Sequence, residues 1–185
     1  ILAKTINIYF LCKSAGFNPS GLSDIQLNEL KSTFNKNCYD NKDNSSLKNI
    51  NSILNEIKNS KNIIILSHIN TDGDAIGSSL AINEYCEYKG KNSKIFIDGK
   101  VSENYNFLKD ISKINTFNKE NHSAFFENAD LIIVLDLNDS SRLGIMEDLF
   151  LSSKAKKIVI DHHLEPKIKT DLSFINIKSS STGEL

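Results

Sequence analysis

Apolar residues follow two kinds of pattern along this chain. Leu47, Ile50, Ile53, Leu54 and Ile57 recur at three- and four-residue spacing, which predicts one face of an amphipathic helix. The run from Asn62 to Ser67 is then continuously apolar between polar ends. Such a run fits a strand buried on both faces, as in a parallel sheet. Residues 75–89 return to helical spacing and stop at Gly90, a predicted C-terminal cap. A second strand is predicted over 93–98, a short helix over 103–109 and a short strand or connector over 114–117. A helical turn over 122–128 leads to a buried strand over 131–136. A helix over 144–152 precedes a last clear buried strand over 157–161, with a weaker one over 174–177. Strands alternating with helices imply parallel β-α-β units, so the fold expected is a three-layer α/β domain with helices on both faces of a parallel sheet.

This order begins near residue 48. Residues 36–47 are polar and rich in turn formers and read as a linker. Residues before them show helical spacing at Ile25, Leu27, Leu30 and Phe34 but no recognisable chemistry. Residues 1–47 are therefore taken as an N-terminal extension and linker of unknown role, and 48–185 as the functional domain. A length of 185 residues suits one domain. The first residue is Ile and not Met, so the chain reads as a fragment or a processed product. Its first thirteen residues are interrupted by Lys4, Asn7 and Lys13 and are not expected to act as a signal peptide. No apolar run is long enough to span a bilayer.

Charge narrows the partners. With 22 Lys and Arg against 23 Asp and Glu, the net charge is -1, which argues against holding long nucleic acid by charge. A small anionic substrate remains compatible with locally concentrated positive charge or a metal. Cys12, Cys38 and Cys86 are too scattered for a disulfide framework or a thiolate zinc site, and a reducing, cytoplasmic setting is expected.

Three buried strands end in potential ligands. The first runs into His68, Asp72 and Asp74, the second into Asp136, and the third into Asp161, His162 and His163. In an open parallel sheet, ligands bind beyond the carboxyl ends of the strands. Each residue has a simpler reading taken alone: His68 as a hydrogen-bonded loop residue, and Asp72, Asp74 and Asp136 as helix caps. Together they crowd carboxylates that repel unless a proton or a cation sits between them. Mixed imidazole and carboxylate donors without Cys favour Mn²⁺, with Mg²⁺, Co²⁺ or Zn²⁺ behind. The donors outnumber the needs of one ion. Two ions about 3.5–4 Å apart, bridged by a carboxylate, suit in-line attack on phosphorus. His122 lies away from these strand ends and reads as a surface residue.

These residues carry a resemblance. Segment 68–78 resembles the first motif of the DHH phosphoesterase superfamily, residues 134–136 the second, and Asp161, His162 and His163 the tripeptide that names it. Residues 180–185 are similar to the segment that follows the tripeptide in oligoribonuclease-like and cyclic-dinucleotide-cleaving members. The first motif's usual Pro is Thr71 here, which is not a ligand position. The resemblance implies two Mn²⁺ ions: His68 and Asp72 on one, Asp74 and His162 on the other, Asp136 bridging. It implies that His163 contacts the substrate phosphate, that Asp161 orients the His pair, and that a water shared by the ions is the nucleophile. The family's fourth motif and smaller C-terminal substrate-binding domain have no counterpart before residue 185. The chain is therefore expected to be a catalytic lobe, weak or inactive alone, from a protein with scope to dimerise at full length.

Implied substrates are oligoribonucleotides, cyclic di-AMP or its linear product, or 3′-phosphoadenosine 5′-phosphate. A pyrophosphatase, a single-strand exonuclease and a nucleotide-binding regulatory module are the rival readings. Ser78, near the start of the helix after the first motif, and Arg142 are candidate phosphate contacts. Close packing at Gly77 and an Arg142 ion pair with Asp139 are their structural alternatives. Ser181 and Thr182 line the site or cap a helix, and the sequence does not separate the two.

Overall fold

The structure is a computed structural model and describes residues 44–185. The expected N-terminal extension, up to residue 43, lies outside the described residues. Helix α1 (Asn44–Asn59) begins inside the segment read as linker. It is followed by β1 (Asn62–Leu66), α2 (Gly73–Tyr88), β2 (Asn92–Ile97) and β3 (Ile114–Thr116). Next come α3 (Lys119–Glu127), β4 (Leu131–Leu135), α4 (Glu147–Ser152), β5 (Lys156–Asp161) and β6 (Leu172–Ile175).

All six strands are parallel, in the order β3-β2-β1-β4-β5-β6. The chain builds outward from β1 to β3, returns to the other side of β1, and builds outward again to β6. Strand order thus reverses between β1 and β4, where the connections diverge and leave a crevice at the carboxyl ends.

The continuous apolar runs reflect burial on both faces. Ile63, Ile65, Leu131, Ile133, Ile158 and Ile160 face Ile50, Ile53 and Ile57 of α1 and Ile76 and Leu80 of α2. Their neighbours Ile64, Leu66, Ile132, Val134 and Val159 face the other way, toward Phe126 of α3 and Phe150 of α4. The three layers follow from strand alternation and the faces of four helices. The α2 terminus is also as read: Gly90 takes φ +69°, its N–H bonds the Glu87 carbonyl, and the Lys91 N–H bonds the Cys86 carbonyl.

Three expectations change. The helix expected over 103–109 is a single 3₁₀ turn, Glu103–Tyr105. The helix expected over 144–152 is a 3₁₀ run, Ser140–Met146, followed by the short α4. The break is Gly144, at φ +60° and ψ −130°, a region open to glycine. His122 is also not a simple surface residue. Its ring centroid is 4.8 Å from that of Phe96, and its Nδ1 accepts the Asn118 N–H at the start of α3.

Acidic side chains tie down the opposite sheet edge. Asp130 Oδ2 accepts the N–H groups of Lys61 and Asn62, both at 2.8 Å, where β1 starts. These backbone donors, that of Asn62 foremost, hold the Asp130 carboxyl below its ordinary pKa. Because the folded pKa is the lower one, this stabilisation is present above the unfolded pKa of about 3.9 and is lost as pH falls through the folded value. Asp130→Asn should therefore flatten the acid limb of the stability profile below about pH 4, read by urea unfolding against pH. Gly144→Ala should cost about 1–3 kcal/mol in backbone strain alone. Its Cβ would also collide with Asp98 Oδ2, so the loss in urea unfolding should reach at least that range.

Candidate metal centre

The site is built where β1, β4 and β5 end. β1 delivers His68 and leads into the turn that starts α2. There Asp72 is the N-cap: its Oδ1 accepts the N–H groups of Asp74 and Ala75 at 3.0 and 3.1 Å. Its other oxygen has no hydrogen bond among the described residues, so capping and ligation are compatible in one side chain. β4 delivers Asp136, only 1% exposed, with its backbone at φ +59°. Asp tolerates this left-handed conformation better than most residues. It does not cap the following helical run; Asp139 does, accepting the Ser141 N–H. β5 ends at Asp161, fully buried, and leads to His162 and His163.

Asp136 is the meeting point. Its Oδ2 lies 3.6 Å from His68 Nε2, while its Oδ1 lies 3.5 Å from His162 Nε2 and 3.6 Å from His163 Nδ1. Asp74 Oδ2 lies 3.6 Å from the same His162 Nε2. These separations are too long for good hydrogen bonds. They are close to the spacing of two donors that share one cation at about 2.1 Å each, which is about 3.0–3.4 Å. Potential ligand atoms of His68, Asp72 and Asp136 all lie within 4.8 Å of one another, as do those of Asp136, His162 and His163. The donor set therefore fits divalent cations, with Asp136 common to both groups.

The imidazoles are turned to suit this. His68 Nδ1 is 2.6 Å from the Ile69 carbonyl, and His162 Nδ1 is 3.2 Å from the Ser179 carbonyl. A carbonyl only accepts, so both rings carry a proton on Nδ1 and aim Nε2 at carboxylates. Metal-binding histidines are held in this way. His163 Nδ1 is 2.7 Å from Asp161 Oδ1, which leaves its Nε2 as the nitrogen available to a ligand. The other Asp161 oxygen is buried with no hydrogen-bond partner among the described residues.

Charge is balanced locally. The Asp136 carboxylate holds the His68 pKa above its ordinary value, against burial and the positive charge of Arg142. Burial pushes the Asp136 carboxyl up, but His68, Thr182 and His163 outweigh it and hold it below the ordinary value.

The remaining predicted residues divide. Arg142 is half-buried, and its carbonyl accepts the Ile69 N–H at 2.8 Å. Its guanidinium forms no ion pair among the described residues. The alternative pairing with Asp139 is not formed; Asp139 has Lys167 at 3.9 Å instead. Ser78 is buried and its hydroxyl donates to the Asp74 carbonyl at 2.7 Å. It braces the turn that bears Asp74. Gly77 has open space around it, so close packing does not explain it. Thr182 separates from Ser181: Ser181 Oγ accepts the Glu184 N–H, whereas Thr182 reaches two of the carboxylates. Tyr105 was not foreseen. Its ring carbon Cε1 would lie 3.5 Å from a Cβ on Gly73, beside Asp72.

A buried carboxylate shared between two groups of cation donors, at the switch point of a parallel sheet, defines a candidate divalent-metal centre. Residues 62–185 match the model of the DHH family, N-terminal domain, and the chain belongs to this family. It is 27% identical over 123 residues to the bifunctional oligoribonuclease and PAP phosphatase NrnA of Mycoplasma genitalium. It is 28% identical over 123 residues to the protein of the same name from Bacillus subtilis. These matches cover 66% of this chain and 37% and 36% of the relatives, so the chain spans little more than a third of their length. An exopolyphosphatase-related protein from Bacteroides fragilis superposes with a TM-score of 0.71 at 28% identity, over 74% of this chain and 41% of that one.

A donor set of this kind should be stabilised by its ion. At a hundredfold excess of Mn²⁺ over its Kd, linkage adds about 2.7 kcal/mol. For a chain of this size that raises Tm by roughly 5–10 °C. Thermal melts with and without Mn²⁺ should show this rise in the wild type and lose most of it in Asp136→Asn.

Proposed function

We propose that this chain carries the catalytic domain, residues 48–185, of a Mn²⁺-dependent phosphoesterase that hydrolyses short nucleotides. The carrying observation is the division of labour within Asp136, whose Oδ2 faces His68 and whose Oδ1 faces His162. A carboxylate used from both oxygens suits a pair of cations. In this reading His68 and Asp72 would hold one, Asp74 and His162 would hold the other, and Asp136 would serve both. Mixed nitrogen and oxygen donors favour Mn²⁺, with Mg²⁺ or Co²⁺ as substitutes. When bound, such a pair supplies Lewis acidity and ionises a water near neutral pH.

The protein's own groups set the geometry. In the neutral rings the Ile69 and Ser179 carbonyls hold the proton on Nδ1 and leave the two Nε2 lone pairs to a ligand. Asp161 orients His163, leaving its Nε2 to contact a substrate phosphate or pass a proton. Arg142, without an ion pair among the described residues, can offer the same phosphate two parallel N–H donors. Ser78 acts at one remove, through the turn that bears Asp74.

Oligoribonucleotides, cyclic di-AMP or its linear product, and 3′-phosphoadenosine 5′-phosphate are the proposed substrates. The printed names of the NrnA relatives support the first and last of these. A net charge of -1 favours local capture of a small anion over tracking along a polymer. A cytoplasmic setting and dimerisation at full length complete the proposal.

The test is Mn²⁺-dependent release of mononucleotide from a fluorescent dinucleotide by the full-length protein. Losing the shared carboxylate removes several kcal/mol of transition-state stabilisation. Asp136→Asn should therefore lower kcat about 10³-fold while leaving the far-UV circular dichroism unchanged. Retained turnover in that variant refutes the assignment. A wild type that binds Mn²⁺ and nucleotide without turnover identifies a binding module instead.

A further inference from the structure

One short segment touches three of the candidate ligands. The Thr182 N–H donates to Asp74 Oδ2 at 2.7 Å, and the Gly183 N–H donates to Asp74 Oδ1 at 2.8 Å. The Thr182 hydroxyl donates to Asp136 Oδ1 at 3.0 Å. The Ser179 carbonyl accepts from His162 Nδ1 at 3.2 Å. None of the hydrogen bonds from residues 179–183 reaches His68 or Asp72. The contacts therefore gather on the Asp74, His162 and Asp136 side of the centre.

The segment is itself anchored. Ser180 N–H and Oγ both bond Glu184 Oε2, at 2.7 and 3.0 Å, and Ser181 Oγ accepts the Glu184 N–H at 3.1 Å. A tight 3₁₀ turn, Thr182–Glu184, follows. Thr182 is 4% exposed, so its donors compete little with water. Gly183 faces Asp74 closely: a Cβ there would lie 3.2 Å from Asp74 Oδ1.

We infer that Thr182, with the backbone on either side of it, is the positioning element that holds Asp74, Asp136 and His162 in register for a shared cation. The inference deepens the proposed function and rests on its metal reading. Each carboxylate keeps lone pairs free after accepting these bonds, so the segment orients the donors without consuming them. Thr182 stands behind the ligands and is not itself one. Partners of this kind typically change metal affinity 10–100-fold when removed.

The test measures Mn²⁺ affinity by calorimetry on the 185-residue chain, beside the metal-free melting temperature. Thr182→Val keeps the shape and the backbone N–H but deletes the hydroxyl. It should bind Mn²⁺ about 10–100-fold more weakly, with a cooperative metal-free melt. Thr182→Ser, which restores the hydroxyl, should recover wild-type affinity. Gly183→Ala keeps the hydroxyl and crowds Asp74, and should also weaken binding; it serves if Thr182→Val fails to fold. Wild-type affinity in a folded Thr182→Val or in Gly183→Ala, or no recovery in Thr182→Ser, overturns the inference alone. A wild-type chain that binds no Mn²⁺ overturns the metal reading, and this inference with it.

Discussion

A carboxylate with almost no access to water is the constraint on which this site depends. Asp136 ends a strand buried on both faces, and a bare anion there would be expensive. The surrounding atoms compensate: imidazole nitrogens on three sides and the Thr182 hydroxyl on a fourth. Those partners come from the ends of β1 and β5 and from the segment beyond β6, so the sheet must be complete before the anion is satisfied. The left-handed backbone at Asp136 adds a local cost. Strain of this kind persists only when the surroundings leave no alternative, and a parallel sheet with helices on both faces supplies that rigidity.

The fold was legible because burial on both strand faces writes an unambiguous signal. Runs such as Ile63 to Leu66 and Leu131 to Leu135 carry no polar alternation, and each became a central strand. Polar donors placed immediately after such runs were legible for the same reason, since only the carboxyl edge of the sheet can receive them. Irregular segments were not. The stretch over 144–152 reads as helical, but Gly144 takes a positive φ, and a Cβ there would collide with Asp98 and Ile69, which are distant in sequence. Spacing could not report that contact.

The same limit hid the role of Thr182. Its neighbours in sequence, Ser181 and Gly183, are ordinary turn residues, and Ser181 indeed caps the turn. What distinguishes Thr182 is its reach to Asp74, 108 residues away. The resemblance at residues 180–185 marked the segment without saying which of its atoms matter. Similarly, Ser78 stood in a suggestive place, but a hydroxyl one turn from its helix start finds a carbonyl more readily than a distant phosphate.

That separation of 108 residues also orders events during synthesis. At roughly 5–20 residues per second, the ribosome makes Asp74 about 5–20 s before the amides that receive its carboxylate. The early β-α-β half emerges with its acidic groups unclamped, and long-range closure comes late. A nascent chain that stops short of Thr182 and Gly183 lacks all three hydrogen bonds that they give to Asp74 and Asp136.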